Sequence, residues 1–454
     1  MSEFEFLVMA LSEWQTLAAL TLLFTLLLFM AIRRVVVGGA FDPMVLALVL
    51  GYSINYAVVA LLCLHGYISS YLAFLVFGYG ATLIGVFRWS SRRRGTSGVL
   101  QVIRAIAPQS IGSAAFAVAL ALYLLLSAYI ISSIGFGIFA ETNRFDAARG
   151  FGAYIRLLDF LSPFIVSYGT LAIFSRNRRK LKLFLLIAFV LYAAMVNGAK
   201  ISIIFSLFTI VFTLAIAAVR VRIRPAVLVA CVAGGLAFSL LALSINLERN
   251  EVEEGGATTQ LAGAGLVVER FVYRVIAGGD TSYLLLPNDV IDKIEKDSAW
   301  VRFLVPFLGT GVSRQLFGYP VEDYSVGRQA LLYHDPGHDV FGGPTSHFDL
   351  FAYVYFGPLG GWIFIACLAF LLGSINRAIR TMRRAASNPP NKFRVALLAT
   401  LWTRAVLVIV EPTVALAFIV DVLVFFTLLS IVLQFLIAPG KRMARPRPAQ
   451  VPAR

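Results

Sequence analysis

Charge is scarce in this 454-residue chain: 14% of residues are Asp, Glu, Lys or Arg, while 59% are hydrophobic and the mean hydropathy is +0.83. A water-soluble fold of this size has no interior large enough to hide that much apolar surface. Cysteine is scarcer still. Cys63, Cys231 and Cys367 all fall in hydrophobic runs, so neither a disulfide framework nor a thiolate metal site has the spacing it needs. Also missing are HExxH, GxSxG, a Walker loop and paired CxxC, which leaves zinc proteolysis, acyl-serine chemistry and ATP hydrolysis without support. His334, Asp335, His338, Asp339 and His347 lie near one another in sequence but follow no metal-ligand spacing, and no metal or other cofactor is expected.

What the chain has instead is apolar runs of about 20 residues, each long enough to cross roughly 30 Å of hydrocarbon as a helix whose backbone satisfies itself. About eleven are expected, at 14–32, 41–64, 67–87, 112–134, 154–175, 183–198, 201–219, 226–246, 350–376, 395–413 and 415–437. The fold class read from this pattern is an all-α polytopic integral membrane protein. The first run follows the acidic start MSEFEF and ends at Arg33, the reverse of a cleavable leader, so a retained helix is expected there.

The net charge of +15 would point to nucleic acid in a soluble protein, but its placement gives another reason. Segments at 33–34, 88–94, 176–182, 220–224, 377–394 and from Lys441 onward hold 25 of the 39 Lys and Arg and no acid. Basic segments of this kind stay in the cytoplasm. Alternating sides from an outside N-terminus places all six inside, next to the bilayer, and no nucleic-acid partner is expected. The chain then divides into N-terminal helices over 1–246 (about eight), a large outer loop over 247–348, about three helices over 349–438 and a basic inner tail at 439–454. From Leu247 to His347 there are eight Lys/Arg against fourteen Asp/Glu. Within that loop, VVERFVYRVIAG and DVIDKIEKDSAWVRFLVPFLG space their apolar residues as short surface helices would. No transporter-type internal repeat is visible.

Most other cations lie outside or within spans, against the orientation rule, and each asks for a local reason; Arg104, beside the fourth span, is the exception. Arg144 and Arg149 fall in the second outer loop. Arg156 has Asp159 three residues on as a helical partner. Arg404, deep in the tenth span, shares a helix face with Glu411, either as a buried pair or as part of a site. Lys200, in the tight turn NGAKIS, either snorkels or meets a ligand. Arg274, before a glycine turn in YRVIAGGDTSY, either braces the loop or meets a ligand; Arg270 and Arg328 belong to the same loop. His347 and Asp349 stand at the mouth of a span in GGPTSHFDLFAYVYFGPLGG, where the histidine is either a solvated interfacial side chain or a base.

Residues 342–361, with Phe356, Gly357 and Gly360 as an aromatic-Gly-x-x-Gly step, resemble the corresponding stretch of the Wzy-type O-antigen polymerases, a group related to the O-antigen ligases. NGAKISIIF at 197–205 is similar to that family's Gly-small-Arg turn, with Lys200 where arginine is usual, and VYRVIAGGDTSY resembles the arginine-bearing start of its large loop. The chain departs from the ligase-like pattern in having Phe348 where Asn is expected. The resemblance implies a GT-C-like glycosyltransferase of the bacterial inner membrane, working at the periplasmic face without metal or nucleotide sugar. Its donor and acceptor would be undecaprenyl-diphosphate-linked glycans, and a chain-length regulator would be a further partner. His347 and Asp349 would be catalytic, and Arg149, Lys200, Arg274, Arg328 and Arg404 would hold diphosphate or substrate. Three other readings compete. A lipid-linked oligosaccharide flippase would line a central path with Arg404, Glu411 and Asp421, a ligase would use a different acceptor, and a structural subunit would use its outer loop to bind proteins.

Overall fold

The computed structural model describes residues 3–95, 97–136, 150–173, 178–197, 202–219, 234, 273, 275–338, 342–385 and 391–437. Every regular element among them is helical. Eight helices are long and apolar enough to cross a membrane: Trp14–Ile32, Val45–Leu64, Ser70–Arg92, Gln109–Ile134, Gly152–Ile173, Arg179–Asn197, Phe348–Arg384 and Pro412–Ile437. The protein is thus an all-α, multi-pass membrane protein. The expected run at 226–246 lies outside the described residues.

The N-terminal part comprises α1 (Glu3–Ser12), α2 (Trp14–Ile32), α3 (Ser53–Leu64), α4 (Ser70–Arg92), α5 (Gly98–Ile106), α6 (Gly112–Ile134), α7 (Gly152–Ile173), α8 (Arg179–Asn197) and α9 (Ser202–Ile216). A π-helical stretch, Val45–Gly51, precedes α3. Four short helices then follow: α10 (Asp280–Leu285), α11 (Ala299–Leu308), α12 (Thr310–Phe317) and α13 (Val326–His334). They account for the helical spacing expected after residue 289, although helix begins only at Ala299. Pro287 and the left-handed Asn288 and Asp289 (φ +56° and +52°) turn the chain first, a conformation Asn and Asp tolerate better than most residues. The C-terminal part is α14 (Phe348–Arg384), α15 (Lys392–Ala405) and α16 (Pro412–Ile437).

The expected span at 395–413 takes a different form. Helix α15 stops at Ala405, runs on as a tight 3-10 turn over Val406–Ile409, and the chain reverses before Pro412 opens α16. Proline suits that first helical position because its missing N–H would have had no partner there. Residues Val395 to Thr403 are all buried, so α15 is walled by protein on every side. Thr400, Trp402 and Thr403 are among its buried side chains. The two threonines donate to carbonyls one turn back, and Trp402 Nε1 donates to buried Asp42 at 2.8 Å.

Basic helix ends gather on one face. Arg380 donates to the Ser91 carbonyl, Arg383 to the Val37 carbonyl and Arg394 to the Ala107 carbonyl. Helix α5 buries Leu100, Ile103 and Ile106 and exposes Arg104, so the cation that stood apart in the sequence belongs to this face. At the other end of α14 lie α10 to α13, joined by α1, whose Phe6 stacks on Tyr283 with ring centres 4.1 Å apart.

The long helix α14 packs along α4 through small residues, the usual device of helices in lipid. A Cβ at Gly361 would come within 2.4 Å of the Tyr79 hydroxyl, which donates to the Pro358 carbonyl at 2.7 Å. Gly361→Ala should therefore destabilise the protein by about 1–3 kcal/mol, as overpacking does. Gly85→Ala, where a Cβ would meet nothing within 4 Å, should not. Thermal unfolding of the two variants in the same detergent checks this.

Candidate functional site

The aromatic-Gly-x-x-Gly step breaks α14 in two. Gly357 adopts φ +68°, which a side chain resists, and Pro358 removes the N–H that would have continued the ladder. The residues ahead of the break, from Phe348 to Phe356, form a separate short helix that aims its N-terminus at the polar stretch before it.

His347 caps that helix with φ +39°, a strained value for a residue with a Cβ. Backbone bonds hold it there: its N–H donates to the Val410 carbonyl at 3.0 Å and its carbonyl accepts from Phe351 at 3.0 Å. The side chain is 2% exposed, so the solvated interfacial reading does not hold. Its ring meets Tyr52 edge-on at 5.0 Å, and Nδ1 is buried with no hydrogen-bond partner. Burial pushes the imidazole down to about 3, so it is neutral near pH 7.

Asp349, 1% exposed, accepts from the Tyr52 hydroxyl at 2.5 Å and from the Leu350 N–H at 2.9 Å on the same oxygen. Its second oxygen is buried and unpartnered. In the first turn of α14, its carboxylate also meets the positive end of the helix dipole. Tyr52 comes directly after the π-helical stretch, where an extra residue per turn often accompanies a functional site. Tyr56 stands edge-on to Tyr52 at 5.0 Å, and its buried hydroxyl also lacks a partner.

Beside this cluster is a cavity of about 360 Å³ whose polar wall includes Arg302, Glu322, Asp323, Arg328, Ser346 and Glu411. His347 and Asp349 are not on that wall; Ser346 and Phe351 are, so the two residues lie behind it. Glu411, at the reversal between α15 and α16, accepts from the Ser346 N–H at 2.8 Å. Burial pushes its carboxyl up to about 7; the Ser346 amide partly opposes this and the charge of Asp280 adds to it. Arg302 is tied to Asp297, which also accepts from Tyr319 and Tyr355. Arg328 bonds Asp323 at 3.3 Å and the carbonyls of Gly342 and His338 at 3.2 and 2.7 Å. It thus holds His338 and Gly342 and also lines the cavity.

The sequence-derived residues are thus only partly assembled. His347, Asp349 and Arg328 converge on one region, while Arg149, Lys200 and Arg274 lie outside the described residues. Arg404 lies apart and does not pair with Glu411. It bonds the Asp159 carbonyl, has that carboxylate 3.9 Å away and stacks over Phe418 at 5.0 Å. Arg156 pairs with Asp421 at 2.7 Å. Arg404 and Asp421, expected with Glu411 along a transport path, therefore both engage α7, while Glu411 faces the cavity. The glycine turn after Arg274 has a packing reason: a Cβ at Gly278 or Gly279 would press on Ile54 or Val58 of α3. Among the described residues no group of three or more His, Cys, Asp or Glu is arranged to hold a metal.

Three contributors escaped the sequence reading: Tyr52, Glu411 in its cavity role, and Arg302. Tyr52 is 297 residues from Asp349, and nothing in an apolar run marks which tyrosine faces inward. Comparison with protein-family models, curated proteins and solved structures gives no match.

Two outcomes follow from this geometry. Tyr52→Phe should cost about 1–3 kcal/mol by leaving the buried carboxylate of Asp349 underpaired, and a double-mutant cycle with Asp349→Asn should show coupling between the two. Separately, the raised Glu411 value means the folded chain keeps a proton there that the unfolded chain releases near 4.5. This stabilisation is complete below pH 4.5 and disappears as pH rises through about 7. Glu411→Gln, which still accepts from Ser346, should abolish that descending limb in thermal midpoints measured against pH.

Proposed function

We propose that the protein is a membrane glycosyltransferase of the Wzy polymerase type, joining undecaprenyl-diphosphate-linked oligosaccharide repeat units into a surface polysaccharide at the periplasmic face of the inner membrane. The observation that carries the reading is the cavity bounded by Glu411, Ser346, Arg302 and Arg328, set at the mouth of the broken span that also buries His347 and Asp349. A polymerase needs a polar site at the depth where a lipid-borne diphosphate meets a hydrated sugar. The end of α14 before Gly357 offers one.

The charges on the cavity wall suit sugar better than diphosphate. Glu322, Asp323 and Glu411 outnumber Arg302 and Arg328, and both arginines already engage carboxylates. Carboxylates accept from hydroxyls and repel phosphate, so this is the acceptor side. In the reaction, the acceptor hydroxyl attacks the anomeric carbon of the growing chain and the carbon–oxygen bond to the diphosphate breaks. The electron pair leaves with the lipid diphosphate, and the hydroxyl proton passes to a base. Glu411 fills that role: it faces the cavity, is oriented by an amide, and has a proton affinity near neutrality, where general-base help is worth about 10²- to 10⁴-fold. His347 and Asp349 fix the wall behind it. The departing negative charge is stabilised by outer cations, for which Arg149, Lys200 and Arg274 are the sequence candidates.

Reconstitution in liposomes with the native lipid-linked repeat unit, read as a ladder on a gel, tests this. Wild-type protein should elongate the glycan, Glu411→Gln should slow it by about 10²-fold or more, and Arg274→Ala and His347→Ala should each shorten or deplete the ladder. A wild-type protein that is correctly inserted and yields no ladder overturns the assignment.

A further inference from the structure

On the basic face, far from the cavity just described, Arg34, Arg380, Arg383 and Arg384 line a second cavity of about 370 Å³ together with Val35, Val36 and Val37. No carboxylate among the described residues lines it. Arg380 and Arg383 each spend one N–H on a backbone carbonyl, at Ser91 and Val37, but a guanidinium carries five. Arg34 and Arg384 are exposed and make no hydrogen bond or ion pair among the described residues. Keeping cations out of translocation requires only that they be on this side of the bilayer; it does not require four of them to converge on one hollow. Convergence without a counter-charge costs repulsion, which an anion in the hollow would relieve.

Depth and floor narrow the chemistry. From Gly357 to Arg380 the helix rises about 34 Å at about 1.5 Å per residue, slightly more than the roughly 30 Å of hydrocarbon, so Arg380 stands at headgroup level. Val35, Val36 and Val37 are buried and make an apolar floor. Planar guanidinium forks match phosphate oxygens two at a time.

We infer that this four-arginine hollow between α2, α9 and α14 is a binding site for the phosphate headgroup of an anionic membrane lipid. The site is independent of the glycan chemistry and would tie the ends of α2 and α14 together through a shared anion.

The test uses the full-length protein in nanodiscs of phosphatidylcholine alone or with phosphatidylglycerol added. Thermal midpoints and native mass spectra are recorded for wild type and for the Arg34→Gln/Arg384→Gln double variant. Those two arginines hold no other element, so the variant should match wild type in phosphatidylcholine. If its midpoint is lower there, Arg34→Lys/Arg384→Lys replaces it as the comparison, with reduced lipid retention expected. Wild type should gain stability from phosphatidylglycerol and retain one such lipid, while the double variant should hold it at least about tenfold more weakly. Protection by inorganic phosphate in phosphatidylcholine discs, lost in the double variant, supports the site and assigns it to a free phosphate. Equal response of wild type and double variant to phosphatidylglycerol overturns the proposal.

Discussion

The hydrogen bond from Tyr52 to Asp349 carries more of this architecture than its length of contact implies. A carboxylate buried beside lipid-embedded helices must be paired or protonated, because desolvating an isolated charge is costly. Pairing it with a hydroxyl 297 residues earlier in the chain fixes where the π-helical stretch before α3 meets the first turn of α14. The rest of the mouth is built outward from that junction. His347 is pinned by the Val410 carbonyl, Ser346 hands its amide to Glu411, and the 3-10 turn over Val406–Ile409 is held against both.

The same logic applies to the other buried polar groups of the bundle and of the mouth. Arg404 with Asp159, Arg156 with Asp421, and Asp42 with Trp402 and three backbone amides each have a partner within the bundle, although Arg404 Nε makes no hydrogen bond among the described residues. Around the mouth the closure is incomplete: one oxygen of Asp349, Nδ1 of His347 and the hydroxyl of Tyr56 are buried without partners. Buried polar groups left unmatched are expensive, and these three stand together around the ring of Tyr52.

How much of this was legible in the sequence depended on distance along the chain. Membrane class and most helices followed from local apolar runs, and the step at Phe356, Gly357 and Gly360 stood out locally, although the span expected over 350–376 ran through it and the break at Gly357 came only with the structure. The prominence of His347 and Asp349 was also local. What failed were pairings: Arg404 and Glu411 share a helical face only if one helix continues through both, and the chain instead reverses after Ile409. Likewise α15 reads as an ordinary span until its surroundings show a core helix, in which Trp402 finds Asp42 as its partner. Tyr52 was invisible because a π-helical register leaves no mark in an apolar run.

The two cavities sit at opposite ends of α14 and have opposite electrostatics. At the mouth, three carboxylates surround two arginines that are already engaged; at the basic end, four arginines meet no acid among the described residues. A single helix of 37 residues joins them, broken near one end by Gly357 and intact beyond it. A rigid rod between two sites resists axial displacement. An anion bound at the basic end, as proposed, would fix the height of the segment from Pro358 to Arg384, while Ser346, beyond the break at Gly357, is held by its own bond to Glu411. In the proposed reaction the donor is tethered to lipid, so depth matters because the diphosphate approaches from the interface. On that proposal, a cavity at that level restricts the encounter to one plane before any side chain touches either substrate.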